Sequence, residues 1–267
     1  MKKDELEYMQ FSPLTKYNQI LTHCFTTRRG GVSIGGCSTL NLGFGRNDSR
    51  TNVIENFKRV CDTLNIELDD LVLSDQIHGT EIKVVDEKDR GKGIVLDSDI
   101  KGYDGLVTNI EKVALVTFYA DCVPIYFFDP VKKVIGLAHS GWRGTLYQIA
   151  ANMISIMDKE YNCNPEEVIS VVGPSIGQCC FEIGIEVITE FVKKIIWSKD
   201  FCKNIGQGKA YIDLQGIIKQ TLIHSGVRSD NIFISGICTK CNKDVFFSHR
   251  GDKGKTGSLA AIMQLRR

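Results

Sequence analysis

Apolar residues fall in short runs of β character, at 19–25, 71–74, 82–85, 113–120, 125–128, 134–138, 168–172, 210–214, 232–237 and 245–248. Helical periodicity is rarer. The clearest case spans 52–64, where Val53, Ile54, Phe57, Val60 and Leu64 share one face. Segments 145–157, 185–196 and 214–224 repeat the pattern, and the apolar tail after Thr256 reads as a last helix. Between 113 and 139 three strands follow one another closely, with Asp129-Pro130 marking the second turn. Gaps so short leave no room for crossover helices, which predicts largely antiparallel neighbours. The expected class is α+β, with mixed, largely antiparallel β-sheets and helices packed outside. No repeat, low-complexity tract or linker interrupts the pattern, so residues 1–267 read as a single domain.

Composition narrows the function classes. Hydrophobic content of 43% and charged content of 24% are ordinary for a soluble globular chain. A net charge of +1 gives no case for a nucleic-acid or membrane partner. The segment Met1-Lys-Lys-Asp-Glu-Leu-Glu7 has no apolar core of a signal peptide, and no apolar stretch reaches the roughly 20 residues of a membrane span. These features predict a cytoplasmic protein whose ten cysteines are reduced thiols, most of them small core residues. The C-terminal stretch leans basic, with Lys240, Lys243, Arg250, Lys253, Lys255, Arg266 and Arg267 against Asp244 and Asp252. Either a solvated tail or a local anion site follows from that bias.

Of five histidines, two sit beside glycine at the ends of apolar β runs. They are His78 in Ser74-Asp-Gln-Ile-His-Gly79 and His139 in Gly136-Leu-Ala-His-Ser-Gly-Trp-Arg-Gly144. Cys122 ends another such run, Leu115-Val-Thr-Phe-Tyr-Ala-Asp-Cys122. Strand ends can present side chains to a common cleft, and adjacent glycines let a ligand approach closely. Two histidines and one cysteine suit zinc and leave a fourth tetrahedral position open, as a catalytic site requires. Their spacing matches no finger or ribbon, and on residue types alone structural histidines remain the alternative.

Three segments, Asp75-Gln-Ile-His-Gly79, Ala120-Asp-Cys-Val-Pro124 and Ala138-His-Ser-Gly-Trp-Arg-Gly144, resemble in order and spacing the signature of the YfiH/laccase-domain family. Further similar segments are Phe25-Thr-Thr-Arg-Arg-Gly-Gly-Val-Ser33, Leu40-Asn-Leu-Gly43, Gly173-Pro-Ser-Ile-Gly177, Phe181-Glu-Ile-Gly184, Cys238-Thr239 and Phe246-Phe-Ser-His-Arg250. The resemblance implies a YfiH/CNF1-like fold and a zinc enzyme that phosphorolyses purine nucleosides, including adenosine, inosine, guanosine and methylthioadenosine, and deaminates adenosine. It implies His78, Cys122 and His139 as metal ligands, with Zn2+ as cofactor and Cu2+ possible. Purine nucleosides and inorganic phosphate are the implied partners of a monomer or homodimer. Arg28, Asn41, Gln76 and Arg250, all in matching segments, become candidates for substrate and phosphate binding, and Arg143 joins them at the reacting centre. Deamination also needs a carboxylate to carry a proton, for which Asp121 and Glu182 are the candidates. The chain departs from the family's C-terminal arginines at Gly251 and Ser258. If those arginines hold phosphate, phosphorolysis is weakened here, since Lys253 or Lys255 lacks the bidentate fork.

Rival readings come from other classes. Two His and one Cys also suit blue copper, as in an older description of this family as polyphenol oxidases. Yet His23, His224 and His249 are too few for a multicopper oxygen-reducing centre. A non-catalytic interaction protein that keeps the fold is the blander alternative. Gly173-Pro-Ser-Ile-Gly177 formally matches a nucleophile elbow that could recruit Asp213 and His224, although no helix directly follows it. Gly254-Lys-Thr256 lacks the first glycine of a phosphate-binding loop. Cys238-Thr-Lys-Cys241 is a lone CxxC, and Cys179-Cys180 are adjacent; both pairs read as packing.

Overall fold

Strands that are apolar on both faces must be covered twice, and this chain does so with two stacked sheets between layers of helix. The computed structural model describes residues 2–3 and 6–266; Met1, Asp4, Glu5 and Arg267 of the stretches discussed above lie outside the described residues. The first sheet runs β1 (Lys2–Lys3), β2 (Leu6–Met9), β3 (Leu21–Thr26), β15 (Leu259–Leu265), β7 (Ala114–Tyr119) and β4 (Leu71–Leu73). The second runs β14 (Ile232–Ile234), β10 (Ile169–Val172), β8 (Val123–Asp129), β9 (Val134–Ser140), β6 (Gly105–Thr108) and β5 (Ile82–Val84). A small third sheet orders β11 (Glu182–Gly184), β13 (Lys209–Ile212) and β12 (Cys202–Gly206). Parallel pairing is confined to the edges, at β4–β7, β5–β6 and β10–β14. The fold is α+β with largely antiparallel sheets, as the chain pattern predicts.

Side-chain alternation sorts the apolar residues into three layers. Phe25, Leu115, Ala261 and Met263 from the first sheet meet Tyr126, Phe128 and Leu137 from the second. The opposite face of the first sheet, including Val116, Ala260 and Ile262, takes Val53, Phe57 and Val60 of α2 (Arg50–Leu64). The opposite face of the second, including Ile125, Phe127 and Ala138, takes α4 (Ile149–Tyr161) and α6 (Leu214–His224) through Met153, Ile154, Ile217 and Leu222. The remaining helices are α1 (Ser12–Thr15), α3 (Trp142–Leu146) and α5 (Ile185–Lys194). Ser49 caps α2 by accepting the Asn52 N–H at 3.1 Å, and Asn65 ends it in the left-handed region at φ 56°. Two phenols tie the sheets together: Tyr126 donates to the Cys24 carbonyl at 2.7 Å and Tyr119 to the Ala138 carbonyl at 3.1 Å.

Besides short elements that no apolar run marks, among them strands β2, β6, β11 and β12, the structure differs from the pattern in four places. β7 and β8 are not sheet neighbours: the chain leaves one sheet and enters the other at residues 120–122. The tail after Thr256 is not a helix but the central strand β15, because burial on both faces hides any alternation. Segment 245–248 is no strand; Val245 and Phe246 both turn back onto the Asn242 carbonyl, which buries Phe246 and Phe247. The expected helix over 145–157 is broken into α3 and α4 by Gln148 at φ 60°.

His23 reports on this packing. Fully buried in β3, its Nε2 accepts the Phe11 N–H at 2.9 Å, and burial pushes its pKa down to about 4. The unfolded chain binds the proton more readily, so the stability due to neutral His23 is complete above about pH 6.5 and is lost as pH falls towards 4. Its size is on the order of 3 kcal/mol. Replacement His23→Asn should flatten that part of the pH profile, measured by urea unfolding at steps between pH 7 and pH 4. Parallel profiles for parent and variant would refute the assignment.

Candidate metal centre and cleft

The corner where the chain changes sheets carries chemistry. Asp121 sits there at φ 86°, and Cys122 follows at the start of β8. β9 pairs back on β8 so that His139 lies opposite Pro124, which brings the ring beside the Cys122 thiol. His78 comes from the loop after β4, also in the left-handed region at φ 62°. The ligand atoms of His78, Cys122 and His139 all lie within 4.8 Å of one another. Gly141 makes the approach possible: a Cβ there would lie 3.0 Å from His78 Cδ2 and 3.2 Å from Cys122 Sγ.

Asp104, which the sequence did not single out, holds this arrangement. Its Oδ1 meets His139 Nδ1 at 2.7 Å and accepts the His78 N–H at 3.0 Å. Its Oδ2 accepts the N–H groups of Ile77 at 3.1 Å and Gly79 at 2.7 Å. Burial opposes charge on Asp104, but His139 and these amides outweigh it and hold the carboxyl below its ordinary value. With Nδ1 committed to a carboxylate, His139 presents Nε2 to the cleft, the arrangement that orients a metal-ligating histidine. Burial likewise opposes the Cys122 thiolate, yet His139 and His78 draw its pKa down to about 6. His139 rises to about 9, against its own burial, because Cys122 and Asp104 favour its charged form. Two imidazoles and a favoured thiolate fit a tetrahedral metal with three protein ligands, zinc or copper by donor type.

A cleft of about 810 Å³ opens above the triad. The candidate residues divide around it. Asp121, Arg143, Gln76 and Arg250 line it; Arg28, Asn41 and Glu182 do not. Arg143 lies over the Trp142 ring at 4.3 Å and Arg250 over Phe181 at 5.5 Å. Asp121 accepts Thr239 Oγ1 at 2.6 Å and the Arg250 N–H at 2.7 Å. Gln76 joins the ends of two strands by exchanging hydrogen bonds with the Phe118 backbone. Arg28 is committed elsewhere, donating to the carbonyls of Ser38 and Lys243 and stacking on Phe247. Asn41 is fully buried and accepts the N–H groups of Gly43 and Ser258. Glu182 pairs with Lys209 at 2.7 Å.

Two cleft residues escaped the sequence reading as contributors here. Arg46 donates from Nε to Ser258 Oγ at 3.0 Å, and His249 lies beside Arg250. Nothing in the Gly45-Arg46-Asn47 segment signals a site, because the partner that positions Arg46 is 212 residues away. The nucleophile-elbow reading fails: Ser175 accepts from Gln215, Asp213 caps α6, and His224 packs on Trp197 at the other end of that helix.

In metal-stripped protein Cys122 should therefore react as a thiolate with a labelling midpoint near pH 6, well below the usual 8.5 of a free thiol. Iodoacetamide labelling with mass mapping across pH reads this directly, and reloading metal should slow it. A midpoint near 8.5 would show that the histidines do not stabilise the thiolate.

Comparison with known proteins places the site in context. The purine nucleoside phosphorylase YlmD of Bacillus subtilis is 35% identical over 244 residues, covering 91% of this chain and 87% of its own. The adenosine deaminase RL5 of an unknown prokaryotic organism is 32% identical over 249 residues, covering 92% and 93%. The crystal structure of the Bacillus licheniformis hypothetical protein YfiH superposes with a TM-score of 0.91 at 35% identity, covering 97% of this chain and 99% of that one. A family model described as multi-copper polyphenol oxidoreductase laccase matches residues 22–266. On that match and those identities, the chain belongs to this laccase-like family, whose relatives include proteins named as purine nucleoside phosphorylases.

Proposed function

We propose that this protein is a zinc-dependent purine nucleoside phosphorylase that also deaminates adenosine. One observation carries the reading: the His78–Cys122–His139 triad lies in a cleft whose walls present Arg46, Arg143 and Arg250 beside aromatic faces. The names of the relatives support it. When bound, zinc supplies a Lewis acid and lowers the pKa of a coordinated water.

Phosphorolysis requires an anion held for attack at C1′ while charge builds on the departing purine. Among the described residues, the Arg143 guanidinium has no hydrogen-bond partner beyond its stacking on Trp142, and only the Nε of Arg46 is engaged. Both are free to grip phosphate by charge-assisted hydrogen bonds. Ser258 stands where the resemblance expects an arginine, and Arg46 reaches that position from another loop. The cationic character lost at 258 is therefore restored from residue 46, and Gly251 lies outside the cleft. On this reading phosphorolysis does not depend on an arginine at 258. Trp142 and Phe181 offer faces on which a purine can stack.

For deamination, two carboxylates line the cleft: Asp75 is exposed, whereas Asp121 is buried with its oxygens engaged by Thr239 and Arg250. Asp121 braces the Arg250 loop, and His249, whose ring has no hydrogen-bond partner among the described residues, carries the proton. An oxidase would need clustered histidines, and His23, buried in β3, and His224, at the end of α6, lie apart from the cleft.

Purified protein incubated with adenosine, inosine, guanosine or methylthioadenosine should release free base only with phosphate, and convert adenosine to inosine without it, as chromatography will show. Arg46→Ala and Arg143→Ala should each raise the phosphate KM by roughly ten- to a hundredfold, the size of one lost charge-assisted hydrogen bond. Deamination should change much less. Phosphate saturation curves that superimpose on the parent's would remove both arginines from the anion site.

A further inference from the structure

A second group of soft ligands lies outside the triad. Cys179 and Cys180 are separated from Cys241 by 62 and 61 residues, yet their sulfurs approach its sulfur to 3.6 and 3.5 Å. Backbone pairing draws the two segments together: Ser175 bridges to Cys238, Ser175 N–H donates to the Ile237 carbonyl, and Thr239 N–H donates to the Ser175 carbonyl. A turn in which the N–H groups of Cys180 and Phe181 both return to the Gly177 carbonyl then places the adjacent cysteines against the CxxC loop. All four sulfurs, of Cys179, Cys180, Cys238 and Cys241, lie within 4.8 Å of one another.

Four thiols so close have few explanations. Core packing does not suit them, because Cys179 and Cys241 are exposed. A disulfide requires sulfurs about 2.05 Å apart. Around a tetrahedral ion with metal–sulfur bonds of about 2.3 Å, neighbouring sulfurs lie about 3.8 Å apart, close to the spacings here. The loop is also prepared for thiolate. Gly177 donates its N–H to Cys238 Sγ at 3.3 Å, and the Cys241 amide adds a second bond. Despite burial, these amides hold the Cys238 thiol below its ordinary value. Cys179 and Cys180 are pushed upward by desolvation and by the sulfurs around them.

We propose that Cys179, Cys180, Cys238 and Cys241 form a second metal site, a closed tetrathiolate holding zinc, distinct from the His78–Cys122–His139 centre. Binding moves thiol protons to solvent and involves no electron transfer. Four protein ligands leave no open position, so the role is structural. The site clamps the loop that carries Phe181 to the loop that carries Arg250. Thr239, between the two CxxC ligands, donates to Asp121, whose other oxygen accepts the Arg250 N–H. The ion thereby positions one wall of the cleft without touching substrate.

Metal content of the purified chain tests the site independently of activity. The parent should carry two zinc equivalents, and Cys180→Ser and Cys241→Ser one each. His78→Ala combined with Cys122→Ala should also retain one, with a sulfur-only shell at about 2.3 Å by X-ray absorption. That last protein decides the matter even if the serine variants fail to fold, and it does so whatever the enzyme's substrate. No metal in it, or a disulfide among the four cysteines on non-reducing mass mapping, would overturn the proposal.

Discussion

The centre depends on one buried carboxylate. Asp104 sits in the second sheet just before β6, entirely out of water, and is satisfied by three backbone amides and a histidine. A buried anion without such partners would cost several kcal/mol. Here its partners are also the site: the amides belong to the loop that projects His78, and the ring belongs to His139. One charge therefore fixes the turn of His78, the tautomer and tilt of His139, and through His139 the ionisation of Cys122. Electrostatic compensation of Asp104 and assembly of the triad are the same event.

The location follows from topology. β7 and β8 are consecutive in the chain but belong to different sheets, and residues 120–122 make the crossing. A chain passing between stacked sheets cannot continue either ladder, so its backbone takes unusual angles, as Asp121 does. The seam is also where loops from both sheets converge, which lets His78 come from beyond β4 and His139 from β9. Helices cover the outer faces and leave this end of the sandwich to loops. Tyr119 joins the layers here, donating across the seam and lying with its ring 5.5 Å from that of His139.

How much of this was legible in the sequence varies by physical cause. His78, Cys122 and His139 stood out because rare ligand types ended apolar runs beside glycine. The class was legible too, since short gaps forbid crossover helices. β15 was hidden because Ala260, Ala261, Met263 and Gln264 are good helix formers, and a strand buried on both faces shows no period of two. Asp104 was hidden because an Asp-Gly pair before a strand ordinarily signals a turn. Arg28 and Asn41 belong to matching segments and lie outside the cleft lining, where they hydrogen-bond the backbone of neighbouring loops and, for Asn41, the Asp48 carboxylate. A motif marks what the fold needs, and that need can be architectural.

The cleft shows why such distinctions require three dimensions. With almost balanced net charge, the chain exerts little bulk field on an anion, and the cations of the cleft are a local concentration. It draws them from three places: Arg46 after Gly43, Arg143 at the start of α3, and Arg250 near the C-terminus. An anion responds to where guanidinium groups lie, not to which loop delivers them. Arg46, for example, arrives beside Ser258 from a loop 212 residues away. The same logic joins Cys179-Cys180 to the CxxC loop, where the pairing of two loops, absent from any sequence spacing, brings four sulfurs within 4.8 Å of one another. Both features rest on loops that the sheets bring to one end, so the strands govern the chemistry while contributing few of its atoms.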